Sequence, residues 1–521
     1  MKLAALDIAV FAVYVAGLIA LALWVSRHDK KEGQNTKDYF LAGKSLPWWA
    51  IGASLIAANI SAEQIIGMSG SGYAIGMAIA SYEWMAAITL IIVGKYMLPI
   101  FLKNEIYTMP QYLEQRFNTS VKITLALFWI AVYIFVNLTA VLWLGSLAIQ
   151  TVSGVDLFTG MIFLALFSVA YSLYGGLKAV ALTDIIQVVL LILGGLLLSY
   201  MGLDAVSNGE GAIAGFFVLT TELPDKFDMI LSPDNKHYAS LPGISVLVGG
   251  MWIMNISYWG FNQYIIQRAL AAKNLNEAQK GIAFAAYIKL LMPIIVVLPG
   301  ICAIALFPSL SAPDQAYPSM MSLMPVGIKG LVFAALVAAI VSSLASMTNS
   351  ISTIFTMDLY SKFKPAKTQQ HYVFVGRIVA VTSLIVAIVV AEPLLGKFDQ
   401  AFQYIQEFTG FFTPGIVVIF LAGMFWPKAS SPGALASAMG SAIFSLILKL
   451  YWPELPFIDR VGLVFLMCLV LCVAVSLVKP DIKENNKSVE LNDVSFKTPS
   501  NFNIATVGVI IIVVALYATW W

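Results

Sequence analysis

Apolar runs of about 20 residues recur along the whole 521-residue chain, and no other feature restricts its fold as strongly. About 20 residues of α-helix span the hydrocarbon of a bilayer, and there a helix satisfies its own backbone hydrogen bonds. Such segments lie at about 7–26, 48–70, 74–101, 122–152, 158–175, 178–202, 243–268, 281–306, 327–358, 372–396, 404–426, 431–451, 460–478 and 502–520. The chain therefore reads as an all-α polytopic membrane protein with about 14 transmembrane helices. Only 11% of its side chains are charged, against about a quarter in a soluble domain, which excludes ordinary soluble enzymes and nucleic-acid binders.

Other chemistries fall away on single residue types. Cys302, Cys468 and Cys472 lie inside apolar runs, so core packing is expected of them rather than a disulfide framework. His28, His237 and His371 fall in polar stretches, whereas a membrane haem protein needs histidines within its spans. No phosphate-binding G-x-x-x-x-G-K-[ST] motif occurs, so an ATP motor is not expected. An intramembrane hydrolase would need a paired nucleophile and base, and a sensor kinase a cytosolic domain. Neither is visible, and the inside loops reach only about twenty residues. The chain is not expected to be an enzyme.

Loop charges predict the orientation. Loops and flanks after odd-numbered segments hold 20 Lys/Arg and those after even-numbered segments five, so the odd loops are predicted to be cytoplasmic and both termini outside. The first segment has its basic cluster (Arg27, Lys30, Lys31, Lys37, Lys44) after the apolar run, the reverse of a signal peptide, and reads as a retained helix. Two segments look interrupted. Segment 48–70 carries Asn59, Ser61, Glu63 and Gln64 at mid-depth before a Gly-rich stretch, and segment 243–268 carries Asn255, Ser257, Gly260, Asn262 and Gln263. Broken helices at matching places in two halves point to the site of a secondary transporter. The predicted organisation is an extra helix with a basic loop (1–47), a first repeat (48–202), an outside loop (203–242), a second repeat (243–426) and three additional helices (427–521). Five spans per repeat is an odd number, so the two repeats run with inverted topology.

An ionisable side chain in hydrocarbon costs roughly 2.5–3.5 kcal/mol on insertion scales, so each needs a partner or a task. Glu83 lies amid Tyr82 and Trp84, an arrangement that suits a sugar, because the carboxylate accepts from hydroxyls while rings cover C–H faces. Lys289 is the obvious structural partner, and a simple buried pair is the competing reading. Gln64 offers a donor and an acceptor, and Gln403 and Gln406 are spaced to share one helix face. Glu63 suits the start of a second half-helix, as a cap or as part of the transport path. Ser342 and Ser346 fit close helix packing. Adjacent hydroxyls with unwound carbonyls near 57–60 would also give a five-oxygen shell suited to sodium. Asp184 is the acid best placed to assist a cation on the cytoplasmic side.

Four stretches carry a resemblance. They are Tyr174 to Val180 with Thr183, Asp184 and Gln187; Gly260 to Tyr264 with Gln267 and Arg268; Phe333 to Ala335 through Ser342 and Ser343; and Asp38 to Gly43. Together they resemble the sodium/solute symporter family. Ala58 to Gln64 and Phe402 to Glu407 resemble its bacterial galactose- or glucose-carrying branch. The resemblance covers essentially the whole chain and implies fourteen helices, a five-plus-five inverted-repeat core and two discontinuous helices.

By matching motif it implies sugar contacts at Gln64, Glu83, Asn255, Lys289 and Gln406, with Tyr258 stacking on the sugar as inner gate and held by Asn59. It implies an outer gate of Met68, Tyr82 and Phe402, and further cavity residues Tyr133 and Asn137. The sodium shell would be the carbonyls of Ala57, Ile60 and Ala339 and the hydroxyls of Ser342 and Ser343, with Asp184 on the ion's exit path. Two departures stand out: Ala86 replaces a sugar-touching serine, and Ser257 replaces a second tyrosine. The expected function is sodium-coupled symport of a neutral hexose, galactose or glucose, by alternating access in a bacterial inner membrane. A sodium symporter of the same fold for a polyol, amino acid or organic acid is the alternative. Sodium, sugar and lipid are the expected partners; no cofactor, nucleic acid or obligatory protein partner is implied.

Overall fold

The structure, a computed structural model, describes residues 3–29, 46–106, 108–174, 177–365, 367–396, 398, 400–481, 491 and 493–521. The Asp38 to Gly43 motif, Lys30, Lys31, Lys37 and Lys44 lie outside the described residues, as do Gly175 and Gly176 and the side chains of Arg27, His28 and residues 171–182. Among the described residues nine helices are long and apolar enough to cross a membrane, or eleven if each of two bent pairs is one span. The remaining predicted spans fall on shorter helices: Ala5–Leu21 and Leu157–Ala170, and the fragmented region 243–268. Predicted boundaries shift at several ends; one helix begins at Gln369, so His371 sits in its first turn, its Nε2 2.9 Å from the Tyr360 hydroxyl.

Both interruptions foreseen in the sequence are present. Helix Trp48–Asn59 ends at Ile60, which is extended (φ −74, ψ 101). A π-turn over Glu63–Gly67 and the helix Met68–Ala74 follow, bent by 68° from the first half. Helix Gly250–Ile256 runs into a π-turn over Ser257–Phe261, and Asn262 is extended (φ −80, ψ 121) before helix Gln263–Leu270. A third interruption had no counterpart in the sequence reading: helices Ala401–Thr409 and Thr413–Phe425 meet at 47°.

The long helix Leu275–Leu306 packs along both halves of the first broken span. Glycine makes that approach close. A Cβ on Gly281 would fall 2.8 Å from the Ile51 Cβ, and one on Gly72 would fall 2.7 Å from the Val297 carbonyl oxygen. Lys289, midway along this helix, is thereby set opposite the break. The three cysteines are free and buried. At the far end of helix Thr413–Phe425, the buried Arg116 donates to the carbonyls of Gly423 (2.8 Å), Ala429 (3.0 Å) and Trp426 (3.3 Å). One guanidinium thus closes carbonyls that a helix C-terminus leaves unpaired.

Candidate functional site

Where the first two breaks meet, a cavity of about 1020 Å³ opens. Gln64, Glu83, Asn255, Tyr258, Lys289 and Gln406 all line it, and so do Asn59, Tyr82, Tyr133, Asn137 and Phe402. Ala86 and Ser257, the two departures, also face it. Six spans distant in sequence therefore deliver their polar residues to one volume. Two candidates differ. Met68 is fully buried beside the cavity rather than on its wall, and its sulfur accepts from the Gln64 amide at 3.2 Å. Gln403 is absent from the wall, and neither of its amide atoms has a partner, so only Gln406 of that pair reaches the cavity.

A single connected network crosses the cavity. Lys289 Nζ donates to Glu83 Oε2 at 2.6 Å and also to Asn59 Oδ1. Asn59 Nδ2 donates to the Tyr258 hydroxyl at 3.1 Å, which also receives the Tyr264 hydroxyl at 3.2 Å. The ammonium lies 5.1 Å from the centre of the Trp259 ring, within range for a cation–π contact. The side chains of Lys289 and Glu83 are 1% and 4% exposed, so neither charge is solvated and each depends on the other. The Lys289–Glu83 pair is thus tied through Asn59 to Tyr258. Across the cavity, the Tyr133 hydroxyl donates to Asn262 Oδ1 at 3.0 Å, anchoring the extended residue of the second break. On the opposite side Tyr82 and Phe402 meet edge to face at 5.1 Å, and both are buried.

A second, smaller cavity of about 300 Å³ lies beside the first break. Ala57, Ser342, Ser343 and Asp184 line it; Ile60 and Ala339, expected in the same sodium shell, do not, although both are buried. Ser342 donates to Asp184 Oδ1 at 2.6 Å, and Asp184 Oδ2 lies 3.8 Å from Arg268. Arg268 in turn donates to Ser54 at 3.1 Å. The donor set is hard oxygen: hydroxyls, one carboxylate and carbonyls freed by the end of helix Trp48–Asn59. Such a set suits sodium and would suit a soft metal poorly. The sequence reading gave no role to Arg268 or Tyr264, which line this cavity. Arg268 has no acidic neighbour in sequence to mark it, and Tyr264 stands six residues from Tyr258, a spacing that signals no shared helical face. The extended Asn262 between them brings the two rings together.

Comparisons with known proteins agree with this geometry. A model of the sodium:solute symporter family matches residues 39–440. The chain is 52% identical to a sodium/glucose cotransporter of Vibrio parahaemolyticus, over 99% of this chain and 98% of that protein. It is 33% identical to sodium/myo-inositol cotransporter 2 of Mus musculus, over 85% of this chain and 69% of that one. Among solved structures, a Na+-coupled sialic acid symporter in a substrate-bound outward-open state superposes with a TM-score of 0.77 at 23% identity, covering 91% of this chain and 98% of its own. Mhp1, a nucleobase-cation-symport-1 family transporter in a closed conformation, gives 0.54 at 13% identity, covering 87% and 98%. These two likenesses show a shared secondary-transporter fold.

Proposed function

The chain belongs to the sodium:solute symporter family, and from that premise we propose that it carries a neutral hexose, glucose or galactose, inward with sodium. It is a multi-pass, sodium-coupled membrane transporter and not an enzyme. The substrate reading rests on one observation above the others. The large cavity is lined by an ammonium–carboxylate pair, a second carboxylate (Glu63), amides from several spans and aromatic rings. An anionic solute would meet two carboxylates for one ammonium. A neutral polyhydroxylated ring finds acceptors, donors and ring faces together. The name of the Vibrio relative points the same way.

In this reading Gln64, Glu83, Asn255, Lys289 and Gln406 hold the sugar, and Tyr258 stacks below it. Sodium sits in the smaller cavity between Ala57 and the Ser342–Ser343 hydroxyls, bracing the first broken span against helix Ile328–Thr353. Its loss inward would loosen that brace, and with it the Asn59–Tyr258 bond. Asp184, already bonded to Ser342, lies on the ion's way out. Each charge crossing 100 mV supplies about 2.3 kcal/mol, enough to concentrate a neutral sugar tens-fold. The bias of loop charges supports an orientation with both termini outside the cytoplasm, and in this reading the membrane is a bacterial inner membrane.

The test is uptake of labelled glucose, galactose and myo-inositol into proteoliposomes, with an inward sodium gradient and potassium as control. Sodium-dependent accumulation of either hexose is expected. Accumulation of inositol alone would replace the hexose by a polyol, and accumulation of none by folded carrier would refute the substrate class. Ala86→Ser restores a hydroxyl on the wall and is expected to change the galactose-to-glucose ratio by up to about tenfold, the worth of one hydrogen bond.

A further inference from the structure

The segment between helices Leu275–Leu306 and Ile328–Thr353 is an outside loop by its charges, and it holds a carboxylate that transport chemistry leaves unexplained. Asp314 sits in the short turn Pro313–Gln315 and is 4% exposed. Its Oδ2 accepts the backbone N–H of Ala401 at 2.9 Å, while its Oδ1 has no partner. Ala401 opens helix Ala401–Thr409, and the preceding residue, Gln400, supplies no side-chain cap. Asp314 therefore caps this helix from a distant part of the chain, with a negative charge at the positive helix end. That helix carries Phe402 one residue further on.

The same aspartate packs on the other side of the outer passage. A Cβ on Gly70 would fall 2.8 Å from Asp314 Cα, so glycine is required for the contact. Gly70 stands two residues from Met68. One side chain thus bonds the half-helix of Phe402 and rests on the half-helix of Met68. We propose that Asp314 is a positioning residue for the outer gate: it holds helices Met68–Ala74 and Ala401–Thr409 together when the outside is shut, and outside protons set the strength of that hold. The proposal rests on reading Met68, Tyr82 and Phe402 as the outer gate.

The proton dependence follows from the burial. Burial pushes the Asp314 carboxyl up to about 7, against a smaller opposing effect of the Ala401 N–H. A proton on Oδ1 removes the buried charge and leaves Oδ2 to accept from Ala401. Once the helices part and the carboxylate meets water, its affinity for the proton falls toward the ordinary aspartate range. The shut state therefore binds more protons than the open one, and closure strengthens as outside pH falls through about 7. Between pH 8 and pH 6 the shut-to-open ratio rises about tenfold. Titratable groups on the elements packed round it are Glu63, Tyr73 and Tyr317, with Tyr404 and Glu407 on the capped helix. Tyr73 donates to the Phe307 carbonyl, and Glu407 is held by Lys449 and Arg460. The helix Thr139–Ser153 contributes none.

Labelling of an Ile405→Cys carrier by a membrane-impermeant thiol reagent, applied outside at pH 6 and pH 8 with the inside held at pH 7, tests this. The cysteine would lie on the cavity wall behind the outer gate. Labelling is read as its rate relative to a fully exposed cysteine of the same carrier at the same pH, which removes the change in thiolate fraction, and this ratio is expected to be about tenfold lower at pH 6. Adding Asp314→Asn, which keeps the acceptor without the proton, should make the ratio equal at both pH values. Asp314→Ala should label faster at both. External sugar KM and Vmax, measured across the same pH range in carriers that retain Ile405, give a second readout, with KM moving and the internal-side exit rate unchanged. An Asp314→Asn carrier with the parent's pH response would overturn the proposal. Because labelling needs no sugar, a failed hexose assignment would leave this result readable.

Discussion

Removing one charge of the Glu83–Lys289 pair and then both separates binding from architecture. The two groups are 2.6 Å apart and almost fully buried. Glu83→Gln leaves the ammonium with Asn59 and the Trp259 ring but no carboxylate bonded to it. Breaking a buried pair on one side costs about 3–5 kcal/mol, and the bare charge carries an insertion cost of about 2.5–3.5 kcal/mol of its own. The single variant should therefore unfold at clearly lower temperature and carry no sugar. Lys289→Met in the same chain removes the orphaned charge, and replacing both partners is often close to neutral for stability. The double variant should regain most of the thermal stability. It should not regain uptake: two charge-assisted hydrogen bonds to sugar hydroxyls, at about 1.5–3 kcal/mol each, are gone, or at least tenfold in affinity per bond. Thermal unfolding in detergent and sodium-driven uptake are the two assays. A double variant that transports with the parent's KM would show the pair to be a helix tie and refute its assignment to the sugar.

Three further substitutions probe other parts of the geometry. Ser343→Ala takes a hydroxyl from the smaller cavity and should raise the sodium concentration for half-maximal uptake about tenfold, the worth of roughly 1.4 kcal/mol, while sugar affinity at saturating sodium holds; unchanged sodium dependence would place the ion elsewhere. Gly70→Ala forces a Cβ against Asp314 and, at an overpacking cost of about 1–3 kcal/mol when the outer side shuts, should hold the carrier open outward and accelerate labelling of the cavity. Arg116→Met strips the cap from helix Thr413–Phe425 and, with hydrogen bonds from a charged group worth about 1.5–3 kcal/mol each, should lower stability by at least about 3 kcal/mol, read as a drop in thermal midpoint, with sugar KM unaltered.

Much of this protein is legible in one dimension. Hydrocarbon length and the cost of charge are properties of single segments, so the spans, the misfit residues Glu83 and Lys289, and the first two broken helices follow from residue order. What order leaves undecided is rotation: which side of its helix each polar residue shows to the cavity. Gln403 and Gln406 look equivalent in sequence, yet packing turns only Gln406 inward. Met68 is close to Gln64, but the π-turn over Glu63–Gly67 changes the angular register and seats its sulfur beside the wall. The bend between Ala401–Thr409 and Thr413–Phe425 carries no mid-span charge to betray it. Arg268 and Asp314 acquire their roles only from partners more than eighty residues away, Asp184 and Ala401. Desolvation decided from the sequence alone which residues need a partner; the packing of helices within the fold decided which partner each one received.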